Sequence, residues 1–361
     1  MATLSYILSL LVSMTAGYLT PLIPLYMVRY GASQTYISIV ATISQIGYII
    51  LAIMSNKLIS KLGLKVTIII SLITCILPLS ILLKIQNILL LTASIILFNS
   101  SLGIFWPTIE TYVSILKGRA ETFSLSWSGG MIIGAYISSL GVLLDEKTSL
   151  ILPTIILIAS FLISIFNREV KITKEHYPES RDIRLVLEKG KIIWIATISY
   201  GLIQGIILII YPPYISKRGI WLPLIGISLG TYTFTRTLIF YISKKITISQ
   251  VKMILIGIFL LGISSFLISQ TINPVVTIIL AILGGLGAGL DYIGAINMAF
   301  HQKENKHTYM SLFEATIGLG YLLGFALSAI ISPISESLPF YLTLVYSLLA
   351  TLLIKNIKSK A

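Results

Sequence analysis

The chain has 361 residues, of which 56% are hydrophobic and 11% charged, against roughly 45–50% and 25% in a soluble protein. With a mean hydropathy of +0.96, this composition excludes a soluble globular chain, and so much apolar surface with so few charges excludes disorder. The formal charge of +13 would suit a nucleic-acid binder, but its meaning depends on where the charges lie.

A bilayer core about 30 Å thick takes about 20 apolar residues per helix. Runs of that kind fall at 4–28, 34–55, 66–83, 88–115, 122–143, 149–166, 192–214, 220–243, 252–270, 274–300, 308–331 and 338–354. They predict twelve transmembrane helices in an all-α integral membrane protein. The first run lacks a basic lead and a small-residue cleavage site, so it is expected to be a span and not a removable signal. Between spans six and seven lies the long charged stretch 167–191. The expected organisation is therefore an N-terminal six-helix bundle (1–166), a charged cytoplasmic linker (167–191) and a C-terminal six-helix bundle (192–361). No stretch alternates polarity with period two for long, which excludes spanning strands. The single cysteine, Cys75, can form neither an intrachain disulfide nor a multi-thiolate metal site, and its apolar run predicts a small core residue.

Lysine and arginine are retained on the cytoplasmic side, and that rule sets the orientation. With both termini inside, the cytoplasmic segments hold 20 basic and seven acidic residues, and the outer segments hold five and three. The spans hold Arg236 against three acids. The net +13 is thus expected to face the anionic inner leaflet of the cell membrane, not a nucleic acid. His176, His301 and His307 all fall in the predicted cytoplasmic loops, where solvated positions are the ordinary expectation and pH sensing the alternative.

The chain also repeats itself. An offset of 188 lays Pro24, Tyr26, Arg29 and Gly31 over Pro212, Tyr214, Lys217 and Gly219. An offset of 190 lays Phe123, Gly130, Gly134 and Ser138 over Phe313, Gly320, Gly324 and Ser328. Each match pairs a span with the sixth span after it, as a duplicated bundle would. Six is even, so both copies should share one orientation, with a pseudo-twofold axis along the membrane normal and a substrate cleft between halves.

The 6 + 6 layout, the charged central loop and the basic stretch after span two together resemble the major facilitator superfamily, over essentially the whole chain. That family carries Gly-x-x-x-Asp-Arg-x-Gly-Arg-Lys between spans two and three. Here the stretch runs from Asn56 to Lys65; Lys61, Gly63 and Lys65 fit, whereas Asn56, Ser60 and Leu64 depart from it. The resemblance implies a gating loop at Lys61, Gly63 and Lys65, although Ser60 stands where the family has an aspartate of its gate charge cluster. Lys117-Gly118-Arg119 is similar to the family's basic turn before span five. The span-five motif of drug/proton antiporters, ending Gly-Pro-x-x-Gly-Gly, is met by Gly130, Gly134-Ala135 and Ser138-Ser139 without its proline. Small residues at that spacing are explained equally by close helix packing. The resemblance further implies that spans 1, 4, 7 and 10 line a cavity, that 2, 5, 8 and 11 flank it, and that the rest face lipid.

A charge at mid-bilayer costs roughly 2.5–3.5 kcal/mol on insertion scales, so such charges have a partner or a task. Glu110, Arg236, Asp291 and Glu314 lie in spans four, eight, ten and eleven, none of them a span expected to face lipid. Asp291 follows the glycine-rich run Gly284 to Gly289, about 15 Å into its span by helical rise. Burial disfavours an ionised carboxylate and a nearby cation favours it. Asp291 or Glu314 is therefore a candidate for proton coupling, with Arg236 as counter-ion or as anchor of an anionic substrate; the alternative is a structural salt bridge. Glu110 lies one turn after Trp106-Pro107 and is a further candidate. Tyr18, Trp106, Tyr200, Gln204 and Asn297 are candidates for the substrate surface. Tyr26, Tyr211 and Tyr214 sit near the predicted outer face, where an aromatic belt is the ordinary explanation.

The function expected is secondary transport of a small organic solute by alternating access, with protons as a candidate coupling ion and efflux antiport as the alternative within the fold. No Gly-x-x-x-x-Gly-Lys-Ser/Thr loop is present for ATP hydrolysis. Gly287 to Asp291 partly matches the Gly-x-Gly-Asp of intramembrane aspartyl proteases, but with one residue too many and without a Tyr-Asp partner, and no span holds a histidine. An enzyme is therefore not expected, and a non-transporting receptor remains a minor rival. The expected partners are a small-molecule substrate, protons and the lipid bilayer, with no nucleic acid, cofactor or metal, and the chain is expected to be a monomer.

Overall fold

The computed structural model describes residues 2–84, 87–166, 183–300 and 306–360. These form the helices α1 (Ala2–Arg29), α2 (Gln34–Leu62), α3 (Leu64–Leu82), α4 (Ile88–Ile115), α5 (Ala120–Gly141), α6 (Glu146–Ile165), α7 (Ile183–Lys189), α8 (Lys191–Lys217), α9 (Pro223–Ile242), α10 (Gln250–Ile268), α11 (Pro274–Phe300), α12 (Lys306–Ile331) and α13 (Leu338–Lys360). Among the described residues there is no strand. Apart from the short α7, every α-helix coincides with a predicted span. Ten are long and apolar enough to cross a membrane by length and composition. The two long helices outside that set are α5, rich in serine and glycine, and α9, which carries four threonines and Arg236.

Local chemistry sets the helix ends. Ser33 and Asn87 accept hydrogen bonds from the backbone N–H of Tyr36 (3.1 Å) and Leu90 (2.8 Å), capping α2 and α4. Asp145 caps α6 through Lys147 and Thr148, and Asn273 caps α11 through Val275. Gly63 alone joins α2 to α3 at φ 83°, a left-handed value that glycine adopts without steric penalty. Buried hydroxyls such as those of Ser9, Ser38, Thr108 and Ser228 donate to the carbonyl four residues earlier, which satisfies them inside apolar helices. Two helices outrun their predicted spans. α2 continues to Leu62 and α13 to Lys360, because a helix crossing out of the bilayer can go on in water with Lys57, Lys61, Lys355 and Lys358 on it. The linker's residues 167–182 lie outside the described residues, as do His176 and His301, and the remainder of the linker contains α7.

By its internal contacts the chain divides into two compact units. One is Met1–His176 with Ile215–Gly230, and the other is Tyr177–Tyr214 with Thr231–Ala361. In the first, α1 packs most closely on α5, α2 on α4, and α3 on α4 and α6. In the second, α10 packs on α11 and on α13, and α8 meets α12 through the Thr197–Thr316 hydroxyl bond of 2.7 Å.

The repeat seen in the sequence is built into the packing. In the first unit a Cβ on Gly130 would lie 2.1 Å from the Leu10 carbonyl oxygen, and one on Gly134 2.1 Å from that of Met14. In the second, Gly320 and Gly324 stand in the same relation to the Ile198 and Leu202 oxygens, at 2.6 and 2.4 Å. The glycines differ by 190 in number and their contacts by 188. At the end of the corresponding helices, Gly31 and Gly219 both have positive φ, 79° and 68°. The helix pairing α1/α5 therefore recurs as α8/α12, with backbone-to-backbone contact that only glycine permits.

Candidate functional site

Within the second unit, helical spacing sets four polar side chains in two i, i+4 pairs. α8 presents Tyr200 and Gln204, and α9 presents Tyr232 and Arg236, each pair one turn apart on one face. Arg236 is 5% exposed. Its Nη1 donates to the Tyr200 hydroxyl at 3.1 Å and to Gln204 Oε1 at 3.5 Å. Its guanidinium carbon lies 5.9 Å from the centre of the Phe240 ring, within cation–π range. Neutral oxygens and an aromatic face thus contribute to holding the cation.

Tyr292 on α11 completes the wall. Its ring centre lies 5.4 Å from that of Tyr200, 5.1 Å from Phe240 and 5.4 Å from Phe313 of α12, so one tyrosine joins α8, α9 and α12. Tyr321 of α12 lies within electrostatic range of Arg236 and Tyr232. Glu314 is seven residues before Tyr321, hence on the same helix face, and is exposed.

Asp291 stands apart from this cation. It is fully buried, and neither of its carboxylate oxygens has a hydrogen-bond partner. Its backbone is pressed against α10, where a Cβ on Gly257 would come within 2.4 Å of the Asp291 nitrogen. The titratable groups in electrostatic range are Tyr232 of α9 and Tyr346 of α13. The direct Arg236–Asp291 pair allowed by the sequence is therefore not formed, since Arg236 turns to Tyr200 and Gln204 instead.

The remaining candidates fall into place individually. Tyr18, expected on a substrate surface, is 2% exposed and donates to the Ser149 carbonyl at 3.0 Å, tying α1 to α6. Its neighbour Tyr26 hydrogen-bonds the Ser149 hydroxyl, so a packing role accounts for it where a membrane belt was expected. Trp106 is half-buried, 5.1 Å from Phe105 in an edge-to-face pair, and Glu110 one turn on is exposed. Asn297 is half-buried on α11. Lys61 lies on the last turn of α2 and is exposed, Gly63 is the link itself, and Lys65 is in the first turn of α3. Ser60, in the place of the family's aspartate, donates to its own helix at the Lys57 carbonyl (3.0 Å). Sequence reasoning missed Tyr232, Phe240, Tyr292 and Tyr346. The available signal was the i, i+4 spacing of Tyr232 and Phe240 on either side of Arg236.

Comparisons with known proteins agree with this architecture. Over 144 residues the chain is 24% identical to the quinolone resistance protein NorA of Staphylococcus aureus, a match covering 38% of this chain and 36% of that protein. The chain thus spans about a third of the length of the curated relatives it matches. Its fold superposes on the crystal structure of the nucleoside transporter NupG with a TM-score of 0.80 at 15% identity, covering 98% of each chain. A NupG variant with one aspartate replaced by alanine gives 0.82, also at 15% identity, covering 98% of this chain and 99% of that one. The likenesses are to transporters and not to an enzyme. Since the Major Facilitator Superfamily model matches residues 5–246 and 193–358, the chain, an integral membrane protein, belongs to that family.

Proposed function

We propose that this protein is a secondary transporter that moves a small organic solute across the cytoplasmic membrane by alternating access, coupled to protons. The observation that carries the reading is the buried Arg236–Tyr200–Gln204 cluster beside the aromatic ring of Tyr292, in a member of a transporter family. A buried, hydrogen-bonded cation in a span is the kind of group that marks a substrate pathway. Asp291, Glu314 and Glu110 are the proton-binding candidates. The halves 1–166 and 192–361 act as the two rocking bundles, joined by the linker 167–191. Lys61, Gly63 and Lys65 act as the gate loop of the monomer, and both termini lie in the cytoplasm by the 20 to five distribution of basic residues. Export is the second reading, favoured by the partial match to a resistance protein.

A thermal-shift screen of small organic solutes in detergent finds the ligand, because binding stabilises the native state by RT ln(1 + [L]/Kd). Counterflow of that ligand in proteoliposomes then tests transport. A ligand that binds and is not exchanged overturns the reading in favour of a receptor. If Asp291→Asn, Glu314→Gln and Glu110→Gln all keep pH-dependent flux, proton coupling is excluded. Cysteine accessibility at the termini, read in a Cys75→Ser background, checks the orientation.

A further inference from the structure

In the second unit α10 packs on α13, and one contact fixes their register. The Thr343 hydroxyl donates to the Gly262 carbonyl at 3.3 Å, and a Cβ on Gly262 would strike the Ser347 side chain. Successive spans run in opposite directions, so these two helices, three spans apart, are antiparallel. At about 1.5 Å per residue, Lys252 on α10 and Lys355 on α13 both lie about 15 Å from that contact, on the same side of it. The two lysines are therefore level with each other, and Lys358 follows one turn on. Each helix brings its lysine to the border of an apolar stripe. Lys252, Ile256 and Phe259 share one face of α10, Leu348, Leu352 and Lys355 share one face of α13, and all six are exposed. Neither helix contains an acidic residue. Among the described residues none of the three lysines forms an ion pair. The helix dipole explains cations near the end of α13, but it disfavours Lys252, which sits in the first turn of α10.

We propose that this end of the α10/α13 seam binds an anionic phospholipid. The headgroup phosphate accepts from Lys252, Lys355 and Lys358, and the acyl chains lie along Ile256, Phe259, Leu348 and Leu352. Packed helix axes are about 8–10 Å apart, so flexible lysines on both can converge on one phosphate, which an ammonium binds as a point charge. Charge complementarity selects the headgroup, because three cations with no acid on either helix attract an anion and repel the ammonium of a zwitterionic lipid. The apolar stripes select a lipid over free phosphate. A phosphate tethered to chains that cover those stripes is held at the depth of the lysines, at a high effective concentration. This assignment stands apart from the transport reading, since it concerns the outer surface of one helix pair and is measured as binding.

The test is native mass spectrometry of the delipidated full chain in detergent, titrated with phosphatidylglycerol, with phosphatidylcholine of the same acyl chains, and with glycerol 3-phosphate. Phosphatidylglycerol is expected to bind saturably, phosphatidylcholine at least about tenfold more weakly, and glycerol 3-phosphate at the same concentration should not displace the lipid. The combined variant Lys252→Gln, Lys355→Gln and Lys358→Gln should weaken phosphatidylglycerol by at least about tenfold. A second combined variant, Lys57→Gln, Lys189→Gln and Lys191→Gln, removes the same charge from exposed positions elsewhere and should bind as the wild type does. Variants are compared once they elute and melt as the wild type. If the first triple does not, Lys252→Gln alone is read in its place, with an expected loss of about fivefold. Absence of saturable phosphatidylglycerol binding, equal binding of phosphatidylcholine, displacement by glycerol 3-phosphate, undiminished binding in the α10/α13 variant, or an equal loss in the second triple each overturns the proposal. The last of these would assign the attraction to net charge and not to this seam.

Discussion

Arg236 donates to the Tyr200 hydroxyl across 3.1 Å, joining the buried cation of α9 to a ring that already packs on Tyr292 of α11. Two functions meet in that bond, since it orients the guanidinium and fixes α8 against α9 in the second unit. A hydrogen bond to a charged group contributes about 1.5–3 kcal/mol. Tyr200→Phe keeps the ring and loses the bond, so it should lower thermal stability in detergent by about 1–3 kcal/mol. Tyr292→Leu should destabilise by loss of ring packing while leaving that hydrogen bond intact. If Tyr200→Phe melts with the wild type, the hydroxyl is not what holds Arg236.

Asp291 leads to the opposite expectation. Its oxygens have no hydrogen-bond partner and the residue is fully buried, so an isolated charge there gains nothing to offset its desolvation. Asp291→Asn removes the charge at nearly constant volume. It should therefore leave the melting temperature at pH 8 equal or higher, while solute flux loses its dependence on the proton gradient. A fall of about 3–5 kcal/mol, the range seen when one partner of a buried pair is removed, would instead reveal a structural ion pair.

How much of this was legible in the sequence depends on the physical scale of each feature. The spans are set by bilayer thickness, a constraint on each run taken alone, and so their positions could be read directly. The exits of α2 and α13 could not, because Lys57 and Lys355 end an apolar run without ending a helix. Arg236 and Asp291 stood out because charge is rare in a span, but their partners are decided by packing between helices distant in sequence. Thus the cation's neighbours turned out to be Tyr200 and Gln204, and Tyr18 was bound to Ser149. Tyrosine is ordinary in membrane helices, so Tyr292 carried no mark of its central place among four helices.

The duplicated glycine contacts predict paired effects. A methyl group at Gly134 or Gly324 would fall 2.1 or 2.4 Å from a backbone oxygen of the facing helix, which backbone cannot yield cheaply. Overpacking of this kind costs typically about 1–3 kcal/mol. Gly134→Ala and Gly324→Ala should both lower the melting temperature and should add when combined, since they disturb separate helix pairs. Gly129→Ala is the control, because a Cβ there meets nothing within 4 Å. It should be neutral or stabilising, as alanine exceeds glycine in helix propensity by about 1 kcal/mol. Equal gains at all three positions would show that helix propensity, and not close approach, governs this stretch.

Asp145 offers a pH test at a group outside the spans. Its carboxylate accepts from the backbone N–H of Lys147 and of Thr148, each at 3.0 Å, and hydrogen bonding to Thr148 holds it below the usual carboxylate range. The ionised form is therefore favoured by the fold relative to the unfolded chain. For a folded value lying below the unfolded one, the stabilisation is fully present above the unfolded value and is lost as pH falls through the folded one. Asp145→Ala should accordingly melt lower than the wild type at pH 7, and the gap should narrow once the pH drops beneath about 4, the ordinary value of an aspartate. Asp145→Asn keeps a capping oxygen without a titrating proton, so its deficit should be small at pH 7 and the wild type should approach it in acid. A gap for alanine that stays constant from pH 7 to pH 3 would mean that the ionised cap at α6 contributes nothing beyond its neutral hydrogen bond.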